Sequence, residues 1–170
     1  MEELRFHGKY RIPSARLQDW DYATNAYYFV TICTKNREYF LGEISNGNIQ
    51  YSVIGDFACN YLRDINQYAT YTCVDTFVVM PNHIHLLVFL RHMQGEYRQN
   101  KFGTLREKSI SSVINHFKGR VTKFANSKGI LFGWQERYHD HIVRDNDDYQ
   151  RIYQYISNNV DNWRDDQFHG

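Results

Sequence analysis

The stretch "VVMPNHIHLLVFL", residues 78–90, decides the fold. It is an aliphatic run interrupted once, at Pro81-Asn82, and that dipeptide is turn chemistry. The flanks, "CVDTFVVM" and "HIHLLVFL", are rich in β-branched and aromatic residues. They read as two strands of an antiparallel hairpin. Side chains alternate faces along a strand. Ile84, Leu86, Val88 and Leu90 therefore share a core face. His83 and His85 share the other, about 7 Å apart at ~3.3 Å per residue.

Working outward, "YYFVTICT" (Tyr27–Thr34) reads as a strand. "NREYFLGEISNGNIQYS" reads as a hairpin excursion turning near Asn46-Gly47-Asn48. Apolar residues at Ile54, Phe57, Ala58, Tyr61, Leu62 and Ile65 predict a helix from Ile54 to Tyr68. Residues 91–108 are polar and carry Gly95 and Gly103, which predicts a long functional or disordered loop. Ser109 caps a helix with the stripe Ile110, Val113, Ile114, Phe117, Val121 and Phe124, and Gly129 ends it. "FGWQERYHDHIVRD" predicts a further strand. Asp145 or Asp147 caps a last helix, from about Asp148 to Val160, that buries Ile152, Ile156 and Val160. This order predicts an α+β sandwich of ferredoxin-like or RRM-like type, a mainly antiparallel sheet with packed helices.

The bulk numbers fit one soluble domain over residues 1–170. The chain is 42% hydrophobic and 23% charged, with a formal net charge of +1. No global field announces a polyanionic partner. Locally, Lys101, Arg106, Lys108, Lys118, Arg120, Lys123 and Lys128 face only Glu107. That strip is either a solvated helix face or a phosphate-binding footprint. Cys33, Cys59 and Cys73 form no C-x-x-C pair, so neither a disulfide framework nor a zinc knuckle is expected. No run approaches the ~18 apolar residues of a membrane span. A cytoplasmic protein without a membrane partner is the expectation.

Two imidazoles on one strand face can converge on one ion, since neutral imidazole is a common metal ligand. The bland alternative is a pair of satisfied histidines on a half-exposed face. A two-histidine site also needs a third ligand and a reactive group. The last helix offers both: Tyr155 and Asn159 are four apart, on one edge of it, beside Ile152 and Ile156. Tyrosines commonly edge a core, and Tyr149 and Tyr153 lie on the same helix.

"MPNHIHLLV", "SISSVINHFKGRVTKFAN", "WQERYHDHIVRD" and "YQYISNNVDNW", in this order, resemble the single-tyrosine HUH transposases, closest to the REP-associated tyrosine transposases. The resemblance runs from about Arg16 to Phe168. It implies the RRM-like fold already read from the pattern. It also implies a homodimer that cuts and rejoins single-stranded DNA near hairpins. His83 and His85 match the metal histidines, Tyr155 the nucleophile and Asn159 the third ligand. The ion would be Mg²⁺ or Mn²⁺, and the intermediate a 5′-phosphotyrosine. Val160 stands where the family often has proline, which leaves the end of the helix open. His139-Asp140-His141 is read as supporting or DNA-contacting, not as the metal pair. Arg106, Lys108, Lys118, Arg120 and Lys123 become phosphate-contact candidates, and Tyr97 and Phe102 stacking candidates. Three alternatives stand beside this reading. They are a non-catalytic or host-repurposed nucleic-acid-binding module on the same fold, a relaxase or replication-initiation nuclease, and an unrelated metalloenzyme that needs no Tyr155.

Overall fold

The computed structural model describes residues 25–91 and 108–169. Arg106, Tyr97, Phe102 and most of the expected loop lie outside the described residues. Among the described residues six strands form: β1 (Tyr27–Cys33), β2 (Gly42–Ser45), β3 (Asn48–Tyr51), β4 (Thr72–Val79), β5 (His83–Leu90) and β6 (His139–Ile142). The helices are α1 (Val53–Arg63), α2 (Ile65–Tyr68), α3 (Ile110–Ser127) and α4 (Asn146–Ser157). The main sheet has the order β4-β5-β1-β6, antiparallel at every pairing. The β2-β3 hairpin is inserted between β1 and α1. This is the expected α+β sandwich.

Strand alternation sorts the sheet into two unlike faces. Tyr28, Val30 and Ile32 of β1 join Ile84, Leu86, Val88 and Leu90 of β5 in the main core. α1 supplies Ile54, Ala58 and Leu62 to it, and α3 supplies Ile114, Phe117 and Val121. On the opposite face, Ile152 and Ile156 of α4 pack on Leu87, with Phe29 and Tyr27 beside them. His83 and His85 have the parity of Leu87, so they belong to the α4 face.

Three elements depart from the sequence reading. The helix expected through Tyr68 breaks at Asp64, which is non-helical at φ −101°, ψ 10°. Aspartate is a weak interior helix former, and this one accepts a bond from the Gln67 amide. The expected strand before Asp145 shrinks to β6, with Trp134 making one isolated bridge to Thr34. The Lys118 ammonium holds the intervening segment against α3 by donating to the carbonyls of Gln135 (2.7 Å) and Glu136 (3.2 Å). Finally, α4 stops at Ser157, not Val160, and Asn159 lies in the turn beyond. Asn158 and Asn159 carry side chains that compete for backbone partners, which disfavours another helical turn.

The inserted hairpin approaches α1 closely. Ser52 caps the helix and donates to the Phe40 carbonyl, while its amide donates to Leu41. A Cβ at Gly55 would lie 1.9 Å from the Leu41 carbonyl oxygen. Gly55→Ala is therefore expected to lower stability by roughly 3 kcal/mol, read by urea unfolding. An unchanged midpoint would mean that the strap can move aside.

Candidate active site and metal centre

The tight turn at Pro81-Asn82 starts β5 so that His83 is its first residue. His83 and His85 are 0% and 1% exposed. They are fully buried, not half-exposed, and their ring centroids are 4.5 Å apart. Each ring is held by one nitrogen. The Asn82 amide nitrogen donates to the carbonyls of Phe168 (2.8 Å) and Arg37 (3.3 Å). Its oxygen is thereby turned to His83, whose Nδ1–H donates to it at 2.8 Å. The remaining nitrogen, His83 Nε2, is a lone-pair acceptor, buried and without a hydrogen-bond partner among the described residues. His85 Nδ1 lies 2.7 Å from Thr31 Oγ1, the residue opposite it on β1.

The end of α4 closes the site. The Tyr155 hydroxyl stands 3.3 Å from His85 Nε2, and its ring meets Phe29 edge-on at 6.0 Å. Asn159 is 1% exposed; its Nδ2 donates to Asp166 Oδ2 at 2.9 Å, and its Oδ1 has no partner. Asp166 was not anticipated from the sequence. Ligand atoms of His83, His85 and Asp166 all lie within 4.8 Å of one another. A cleft of about 300 Å³ opens beside them, lined by Tyr155, Asn159, Asn162, Asp165, Asp166 and Gln167. The Phe168 ring lies 4.7 Å and 5.6 Å from the His83 and His85 rings.

Burial keeps the imidazoles neutral. It drives His83 down to about 4, against a partial opposing pull from the Asp166 carboxylate. Burial and the neighbouring His83 hold His85 well below the ordinary histidine value. Neutral imidazole is the ligand form. Burial and the Asp166 carboxylate raise Tyr155 above the ordinary phenol value, so it is a neutral hydroxyl at neutral pH. The donor set fits a divalent cation. Two buried acceptors, His83 Nε2 and Asn159 Oδ1, have no hydrogen-bond partner among the described residues, and orphaned buried acceptors are costly unless something occupies them.

The structure brings His83, His85, Tyr155 and Asn159 together within one chain. It does not bring the basic strip to them. Arg120 and Lys123 are exposed on α3, on the far face of the sheet from the histidines. Lys118 is committed to the carbonyls described above, and Lys108 sits at a positive-φ position (59°) just ahead of α3. His139 and His141 pair with Thr31 and Phe29 of β1 and so share the α4 face. His141 Nε2 is 2.7 Å from Asp148 Oδ2 and ties β6 to α4. Asn82 stood in the quoted motif, and only its contacts reveal its role. Asp166 follows Tyr155 by eleven residues across an irregular segment, where no periodicity could have marked it.

The fold is similar to that of a REP-associated tyrosine transposase solved bound to a REP hairpin. The TM-score is 0.58 at 18% identity, covering 87% of this chain and 72% of that one. A candidate transposase of Deinococcus radiodurans R1 aligns over 85% of this chain and 97% of its own, at 18% identity and a TM-score of 0.47. No protein-family model matches the chain. An uncharacterised protein of Haemophilus influenzae is 33% identical over 165 residues, 92% of each sequence, and the chain belongs to one family with it.

Proposed function

We propose that this protein is a metal-dependent single-stranded DNA transposase that cleaves and rejoins DNA through Tyr155. One observation carries the reading. A tyrosine hydroxyl, two neutral buried imidazoles and an unpartnered amide oxygen meet beside one cleft, from two separate parts of the chain. The hairpin-bound transposase of the same fold supports a hairpin as the partner. His83 Nε2, His85 Nε2 and Asn159 Oδ1 would hold Mg²⁺ or Mn²⁺. The ion would supply Lewis-acid polarisation of the scissile phosphate.

Tyr155 Oη attacks the phosphorus in line. The Tyr155 O–P bond forms, the P–O3′ bond breaks, and the phenolic proton is relayed through solvent to the departing 3′ oxygen, which leaves as a hydroxyl. A 5′-phosphotyrosine remains, and attack by another 3′-hydroxyl reverses the step and joins strands. Burial of Tyr155 favours the neutral phenol, so its activation has to come from the assembled site. All four groups lie in one chain, so the homodimer implied by the sequence resemblance is not needed to assemble them. A denaturing gel tests the reading: labelled hairpin DNA should yield a covalent adduct with Mn²⁺ and none with EDTA.

A second reading, a catalytically silent binding module on the same fold, draws on the Phe168 ring lying against both imidazoles. Absence of any adduct, with DNA binding intact, would favour it. In either reading Lys108, Arg120 and Lys123 are phosphate-contact candidates, with Arg106 beyond the described residues. Arg120→Ala and Lys123→Ala should each flatten the log–log salt dependence of single-strand binding by about 0.7, measured by fluorescence anisotropy. Unchanged slopes would remove α3 from the DNA path.

A further inference from the structure

Each of the three ligand side chains proposed above rests on one orienting partner: His83 on Asn82, His85 on Thr31 and Asn159 on Asp166. The third case is chemically the most demanding. A primary amide has an acceptor end and a donor end of nearly the same shape, and a half-turn exchanges them. Only its partner decides which end faces the ion. A carboxylate accepts and cannot donate, so Asp166 Oδ2 selects the Nδ2 end at 2.9 Å. Asn159 Oδ1 is then left facing the site, buried and unpartnered. Asp166 is itself fixed, because its Oδ1 accepts the Phe168 amide at 2.6 Å.

Resting on the metal-site reading, we propose that Asp166 is a positioning residue that locks the Asn159 amide with its oxygen toward the ion. Each carboxylate oxygen accepts one hydrogen bond, Oδ2 from Asn159 and Oδ1 from the Phe168 amide, so the bonds in place orient Asn159. Direct ligation by Asp166, which lies near the histidines, is the competing outcome of the test. Asp166→Leu keeps neither bond and lets Asn159 turn its NH₂ toward the ion.

The test is Mn²⁺ affinity of the full chain, read by loss of the free-ion EPR signal, with thermal melting as the folding control. Asp166→Leu should bind roughly 10–100-fold more weakly than wild type. Asp166→Ala serves the same comparison should the leucine variant not fold. In an Asn159→Asp background the leucine change should no longer weaken binding, because a carboxylate has two equivalent oxygens and no end to choose. A leucine variant that binds like wild type would overturn the proposal, and one whose loss persists in the Asn159→Asp background would overturn it in favour of direct ligation. Wild type that takes up no Mn²⁺ at all would instead overturn the metal-site reading beneath it.

Discussion

Replacing Tyr155 by phenylalanine is expected to reduce covalent adduct formation on single-stranded DNA by at least about 10³-fold, with Mn²⁺ and DNA affinities nearly unchanged. The structure makes this a clean substitution. The Tyr155 ring is 40% exposed and meets Phe29 edge-on, and phenylalanine keeps that packing. What is lost is the hydroxyl 3.3 Å from His85 Nε2. The neighbouring tyrosines cannot replace it. Tyr149 donates to Asp75 Oδ2 at the other end of α4. Tyr153 is two residues from Tyr155 along the helix, about 200° around its axis, and faces away. A Tyr155→Phe protein that still forms the adduct would place the nucleophile elsewhere and remove the main support for the mechanism.

Acid is expected to destabilise the protein strongly through the same histidines. The folded value of His83 is about 4, against 6.5 for an ordinary histidine, because burial penalises its charged form. Between those values the unfolded chain binds more protons than the folded one, so stability falls as pH falls. The contribution is fully present above about 6.5 and is lost progressively toward 4. For His83 alone the loss amounts to roughly 3 kcal/mol, and His85 acts in the same direction. Urea unfolding in EDTA between pH 7 and 4 measures it. Carboxylates begin to titrate in the lower half of that window, so the informative comparison is with His83→Leu, which should show a shallower slope. Equal slopes in the two proteins would mean that His83 is not held neutral by burial.

Much of this architecture was legible because it is periodic. The alternation in β5 separated Ile84, Leu86 and Val88 from His83 and His85, and the spacing in α3 marked the face that buries Phe117 and Val121. Tyr155 and Asn159 were found from their four-residue separation, although helical geometry was only part of the reason. Asn159 reaches the site from the turn after α4, not from a continuing helix. Arg120 and Lys123 fall on the helix that the periodicity marked, but a linear sequence carries no sign of which side of the sheet that helix covers. Asp166, Thr31 and Asn82 were out of reach for a related cause. Their roles consist of bonds to residues distant in the sequence or of amide orientation, and neither leaves a period. Lys118 shows the same limit from the other side. Its charge suggested phosphate, and its contacts are two backbone carbonyls.

The most direct measurement is an anomalous difference map from crystals soaked in Mn²⁺. One peak is expected, at about 2.2 Å from His83 Nε2, His85 Nε2 and Asn159 Oδ1, with the Tyr155 hydroxyl beside it. A map with no peak between the two imidazoles, or with manganese bound only at acidic groups elsewhere, would contradict the site on which the proposed chemistry depends.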